Sequence, residues 1–291
     1  MKLKVTHKTT YEYNSPVSQS VNQLCLTPRS NDHQLCSSFS MRIDPEPSAI
    51  KSTLDFYGNS VSRFNLDQTH DACTIIVSSV VDTADTLDPL SDSVLATDIK
   101  SLLSTSLPQT DLMAYDCLAP SVYVPRLSNI ENLLAQLPAV NTPVLEFADA
   151  LMRFIFTEFE YDPSFSTVVT PMTDIISARK GVCQDYAHLA IAILRQYGIP
   201  ARYVSGYLET LPPPGQKKLQ GSDATHAWFS VYAPGLGWFD FDPTNNKRPD
   251  SQYVTTAWGR DYADVAPLRG VVFGGGKTVL KVAVDVNRVE Y

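Results

Sequence analysis

Cys183, His226 and Asp242 are the residues of this sequence whose types and local settings can do chemistry together. Cys183 follows the break at Gly181 and heads a run in which Tyr186, Ala187, Ala190, Ile193, Leu194 and Tyr197 recur at three- and four-residue intervals. That spacing is one apolar face of a helix. A thiol in its first turn sits among unpaired backbone N–H groups at the positive end of the helix dipole, which favours the thiolate. An imidazole able to take the thiol proton, and a carboxylate able to orient that ring, complete the set that nucleophilic acyl transfer requires. His226 is the expected base and, later, the acid for a leaving amine. Asp242 is expected to hold the ring tautomer and stabilise the imidazolium. The backbone N–H of Cys183 is a natural oxyanion donor. Tyr161 is a candidate second donor, and Trp228 a further substrate or oxyanion contact, unless it is simply a core or cleft wall like Trp238 and Trp258.

These residues need elements to bring them together. Gly198 and Pro200 stop the cysteine helix. Thr225–Tyr232 reads as a strand, Pro234-Gly235-Leu236-Gly237 as a turn and Trp238–Pro243 as a second strand. If Tyr232 pairs with Trp238, Trp228 lies opposite Asp242, and His226 lies one diagonal step from Asp242 on the same face. Diagonal neighbours are ~7–8 Å apart at the backbone, within side-chain reach. Asp240 shares that face one step further away, so Asp242 is the better partner. A helix over Pro143–Glu158, with Thr142-Pro143 at its start, is expected to pack near the cysteine helix. Thr173-Asp174 can cap a short helix, and Ala201–Leu208 is a strand. Leu211–Lys218, rich in proline and glycine, reads as a loop that borders the cleft or simply crosses the surface.

The first 85 residues read differently. Residues 2–13 alternate as a strand, further β runs cover Phe39–Ile43, Val61–Leu66 and Thr74–Val81, and Tyr57–Ser60 supplies a turn. His7 lies on an apolar face and reads as packed; His33 and His70 read as loop residues. The expected organisation is an N-terminal β domain over 1–85, a helical and irregular connection over 86–140, a catalytic core over 141–265 and a strand completing a sheet over 266–291. Within the connection, Leu95, Ile99, Leu102 and Leu103 are spaced for a short helix within Ser93–Leu103. Gly274-Gly275-Gly276 lacks a phosphate-loop pattern and reads as a linker before the Thr278–Val286 strand.

The net charge of −8 argues against a nucleic-acid partner or an acidic membrane surface. Neither a signal-peptide core nor a bilayer-spanning run is present, and five scattered cysteines without a CxxC pair suit reduced thiols in a cytoplasm. Cys183, Asp185, His188 and His226 match no familiar zinc spacing, so neither a metal nor a cofactor is expected. His188, on the polar side of the helix, is expected to make a structural hydrogen bond. Arg260, Asp261 and Tyr262 read as a cluster that lines the cleft or stays solvated.

The run Gly181–Leu189, then Gly198–Tyr207, His226-Ala227-Trp228, Gly237-Trp238 and Asp242-Pro243-Thr244-Asn245, resembles the bacterial transglutaminase-like proteins. His7–Tyr11, Pro28-Arg29 and Gly58-Asn59 resemble the β domain that precedes the core in that family, and Gly259–Val265 with Gly270 its C-terminal segment. The resemblance implies an α+β chain with a papain-like transglutaminase core, in which the cysteine helix packs on an antiparallel sheet bearing the histidine and the aspartate. It implies the same triad, Cys183, His226 and Asp242. The expected activity is cysteine-dependent acyl transfer from a peptide or glutamine-type amide through a thioester. Hydrolysis would make the protein a peptidase or amidase; transfer to an amine acceptor would make it a transglutaminase. A peptide-binding scaffold without turnover is the reading from another class.

Overall fold

The computed structural model describes residues 1–85, 94–105, 109–128, 130–137, 139–210, 221 and 223–289. In chain order these form β1 (Lys2–Leu24), β2 (Gln34–Asp44), β3 (Ile50–Leu54), β4 (Ser60–Leu66), β5 (His70–Thr83), α1 (Ile99–Thr105), α2 (Gln109–Asp116) and α3 (Glu131–Leu134). Then come α4 (Val144–Glu158), β6 (Glu160–Tyr161), α5 (Met172–Ala178), β7 (Lys180–Gly181), α6 (Cys183–Gln196), β8 (Ala201–Leu208) and β9 (Thr225–Ala233). The chain closes with β10 (Gly237–Phe241), β11 (Tyr253–Gly259), α7 (Tyr262–Val265), β12 (Leu268–Gly274) and β13 (Thr278–Arg288).

β1 organises the first sheet and is longer than the expected strand over 2–13. Asn14-Ser15-Pro16 interrupts the alternation there, and β1 changes partners at that point. Before it, β1 pairs with β5 on one edge and β13 on the other; after it, with β4 and β12. Pro16 has no N–H to give, and the partner change leaves none required. The matching break on the far edge is Gly274-Gly275-Gly276, all with positive φ. A Cβ on Gly274, which has φ +100°, would lie 2.6 Å from the Pro16 carbonyl oxygen, a backbone atom that cannot swing aside, so glycine lets the two breaks lie side by side. The three glycines therefore join two strands along one edge of β1. His70 begins β5 and is buried, contrary to the loop expected there, with Nδ1 2.8 Å from the Gln68 carbonyl oxygen.

The second sheet is antiparallel throughout, in the order β10-β9-β8-β11. α6 packs on β8 and β9, with α4 against α6 and the β9–β10 hairpin. α6 buries more than its apolar face: Asp185 through Leu194 are all buried. The sheet, α4 and α5 enclose it between them, so its polar residues find partners inside. The α4 helix begins one residue later than expected, at Val144, with Pro143 as its N-cap. α1 starts only at Ile99, because Leu95 forms a bridge with Pro143 instead of a helical turn. The Leu211–Lys218 loop lies outside the described residues.

The two sheets meet through side chains that imitate strand pairing. The Gln34 amide donates to the Thr255 carbonyl at 2.8 Å and accepts the Thr255 N–H at 2.8 Å. Asn59 does the same for Trp258, at 2.8 and 3.0 Å. Both side chains are buried, and Leu3, Val5, Val81, Tyr207, Val254, Val284 and Val286 form an apolar cluster across the junction. His7, packed as expected, spans it as well: its Nδ1 lies 2.8 Å from the Tyr207 hydroxyl.

Candidate active site

α6 begins at Cys183 because Val182 is extended and Asp185, three residues on, folds its carboxylate back to accept the Val182 N–H at 2.9 Å. This is the acidic half of a capping box; the valine has no acceptor to return. The Ser166 hydroxyl also donates to Asp185. Burial nonetheless pushes the Asp185 carboxyl above its ordinary value, against those two donors. Cys183 is thereby held at the first helical position, where its own N–H has no intrahelical acceptor.

The hairpin adopts the expected register: Trp238 pairs with Tyr232, Asp240 with Ser230 and Phe241 with Phe229. β10 ends at Phe241, two residues short of the expected strand. Asp242 starts a turn instead, closed by backbone bonds with Lys247 in both directions, at 2.9 and 3.2 Å. Pro243 cannot continue the ladder, and the Asp242 carboxylate captures the Thr244 N–H at 2.9 Å. Its other oxygen accepts three side-chain donors: His226 Nε2 at 2.7 Å, Asn245 Nδ2 at 2.7 Å and the Tyr253 hydroxyl at 2.8 Å.

Asp242 is fully buried. Burial alone would raise its carboxyl, but the donors, His226 foremost, hold it below the ordinary value. His226 is the converse case. Burial works against its charge, yet the hydrogen bond with Asp242 and the neighbouring Cys183 thiol raise the imidazole to about 10. With Nε2 committed to Asp242, Nδ1 is the ring nitrogen left for Cys183. Thiol, imidazole and carboxylate thus gather between the head of α6 and the turn after β10.

Tyr161 reaches the same place from β6, which pairs with β7 immediately before α6. Its phenol is raised by burial and by the nearby charges of Cys183, Asp185 and Asp242, so the O–H stays protonated as a donor. Trp228 does not touch an open cleft. It is fully buried and its N–H is spent on Asp240 at 3.0 Å, so the expectation that it contacts substrate or an oxyanion is corrected to a packing role behind His226 and Tyr253.

His188 accepts the Tyr262 N–H at 3.1 Å and stacks on Tyr123. Burial, with Arg195 nearby, lowers it to about 3, so it is a neutral acceptor. The residues after β11 are not a solvated cluster: Asp261 is buried, accepts the Ala263 and Tyr123 N–H groups and caps α7. No three His, Cys, Asp or Glu residues gather as a metal site among the described residues.

Sequence reading missed Tyr253 and the role of Asn245. Asn245 lies three residues past Asp242, where an Asx turn could have suggested it. Tyr253 arrives from the opposite edge of the sheet, and no local pattern signals it.

The model of the bacterial transglutaminase-like N-terminal region matches residues 3–82, and that of the transglutaminase-like superfamily matches residues 131–243. An uncharacterized protein of Mycobacterium tuberculosis is 37% identical, over 97% of this chain and 91% of its own. A protein-glutamine gamma-glutamyltransferase of Pseudomonas aeruginosa is 33% identical over 43% of this chain and 21% of its own. In fold, the crystal structure of a candidate cysteine protease from Cytophaga hutchinsonii superposes with a TM-score of 0.74 at 24% identity, covering 100% of this chain and 91% of that one. The chain belongs to the transglutaminase-like superfamily, with the N-terminal region of its bacterial members preceding the core.

Proposed function

We propose that the protein is a cysteine-dependent acyl-transfer enzyme acting on peptide or glutamine-type amides, with water as its usual acceptor, which makes it a peptidase or amidase. The reading rests on one observation: the His226 ring is hydrogen-bonded to the buried Asp242 carboxylate at 2.7 Å, with the Cys183 thiol near enough to act on the same ring. In this mechanism Nδ1 of His226 takes the thiol proton as Sγ attacks the amide carbonyl carbon. The oxyanion is met by the Cys183 N–H, with Tyr161 as the second donor. The imidazolium then protonates the departing amine, the C–N bond breaks and a thioester remains on Cys183. His226 next takes a proton from water, which attacks the thioester and releases the acid.

A second reading replaces that water by a primary amine. It is favoured by the 33% identity with the glutamyltransferase, whose matched segment is a small part of that protein. In either reading the partner is a peptide or protein, not nucleic acid or membrane, in keeping with the charge of −8. No helix of the described residues is long and apolar enough to cross a membrane. All five cysteines are free, which supports a cytoplasmic setting.

The test is mass spectrometry after incubation with glutamine-containing and ordinary peptides, with and without a primary amine, for wild type and Cys183→Ala. Cleaved or deamidated products that vanish in Cys183→Ala are expected. Amine-linked products would establish the transferase. Absence of both, with Cys183 labelled by a thiol reagent no faster than the other four thiols, would return the protein to a peptide-binding scaffold.

A further inference from the structure

Arg202, on β8, is 7% exposed, yet among the described residues its guanidinium donates no hydrogen bond and has no carboxylate within ion-pair distance. Its Nε is buried without a partner. A buried cation without a partner is costly, and native interiors rarely keep one. The guanidinium carbon lies 3.8 Å from the ring centre of Trp258 and 4.2 Å from that of Trp238. Arg29 lies 3.5 Å from the same Trp258 centre. Two guanidinium groups that close to one ring must cover its opposite faces. The stack therefore runs Arg29, Trp258, Arg202, Trp238, and with both faces of Arg202 covered, its N–H donors are available only at the edge, in the plane of the group.

Arg202 and its two tryptophans line a cavity of about 200 Å³ between the two sheets, with Tyr253, Asp32 and Asp240 also on its wall. At ~30 Å³ per water, that is room for roughly six or seven waters or a small organic molecule. An in-plane guanidinium edge matches a carboxylate in two-point geometry. Asp240 is the carboxylate that acts most strongly on Arg202, though it lies beyond ion-pair range. One of its oxygens accepts from Trp228; the other has no donor among the described residues. Asp32 adds negative charge at the exposed rim, and Asp250, also on the wall, is paired with Lys247. A plain anion would meet Arg202 and Asp240 together, whereas a molecule carrying both charges satisfies each.

We propose that this cavity binds a small zwitterion of the α-amino acid class, its carboxylate on the edge of Arg202 and its ammonium on Asp240. The site is separate from Cys183, although Tyr253 is common to the cavity wall and the Asp242 network.

Calorimetric titration of the full chain with individual free α-amino acids tests this, beside the matching carboxylic acids without the amine and amines without the carboxylate. At least one amino acid is expected to bind saturably, with both truncated analogues and Arg202→Met weaker by tenfold or more. Should Arg202→Met fail to fold, Ala84→Trp on the exposed rim fills the mouth without touching the stack and is expected to abolish binding. The proposal is overturned if no amino acid binds at millimolar concentration. Binding that survives in Ala84→Trp, or truncated analogues that bind as well as the amino acid, overturn it equally.

Discussion

At the residue scale, the candidate site is a contest between burial and pairing. Burial opposes charge on both His226 and Asp242, and hydrogen bonds reverse it on both. The sign of the pH dependence follows. The raised imidazole contributes stability that is complete below its unfolded value near 6.5 and is lost as pH rises through about 10. The depressed carboxylate contributes stability present above the ordinary carboxylate range and lost as pH falls through its lowered value. Asp242→Asn keeps the shape and removes the charge. In that variant the His226 titration, followed by NMR of the ring protons, is expected to move down from about 10. By analogy with other nucleophilic triads, turnover should fall by roughly 10³- to 10⁴-fold. An unchanged titration would show that Asp242 does not hold the imidazolium.

Elements decide how closely those residues are supported. Gly206, on β8 opposite His226, lies where β11 and Trp228 converge. A Cβ there would stand 2.1 Å from the Val254 carbonyl oxygen and 2.7 Å from the end of the Trp228 ring. Neither contact can be relieved by a flexible side-chain tip, since one is backbone and the other a fully buried indole. Gly206→Ala is therefore expected to cost about 3 kcal/mol, at the upper end of the range for overpacking, and to loosen the wall behind His226. Urea unfolding checks this; a change under about 1 kcal/mol would mean that β8 and β11 separate easily.

For the whole molecule, the junction between the two sheets is buried and carries polar groups that cannot be left without partners. His7 is one of them, lowered to about 4 by burial. Between pH 6.5 and 4 the unfolded chain takes up a proton that the folded chain refuses, so stability falls with pH through this window, by at most ~1.4 kcal/mol per pH unit. His188 acts in the same direction down to about 3. His7→Gln retains an amide that can meet Tyr207 and removes the titration. Its stability is expected to fall less steeply between pH 6.5 and 4, read from urea midpoints across that range; an equal slope would assign the acid sensitivity to His188 and the carboxylates.

Much of the site was legible because its information is local. Cys183 at a glycine break before a 3.6-period run, and a hairpin whose turn residues set its register, bring out the thiol, the imidazole and the carboxylate from spacing alone. The strand alternation of residues 2–13 likewise announced a β domain. Contacts between residues far apart in sequence decided the rest. Tyr253 reaches Asp242 across a sheet, Gln34 and Asn59 pair with backbone some 200 residues away, and Trp228 turns from a cleft candidate into a buried support once Asp240 takes its N–H. Arg202 shows the same limit most plainly. In sequence it is one polar position in a strand, and only the stacking of Trp238 and Trp258 on its two faces leaves it a buried cation facing a cavity. Periodicity reports which residues share a face; which faces meet, and what is left without a partner between them, is set by packing.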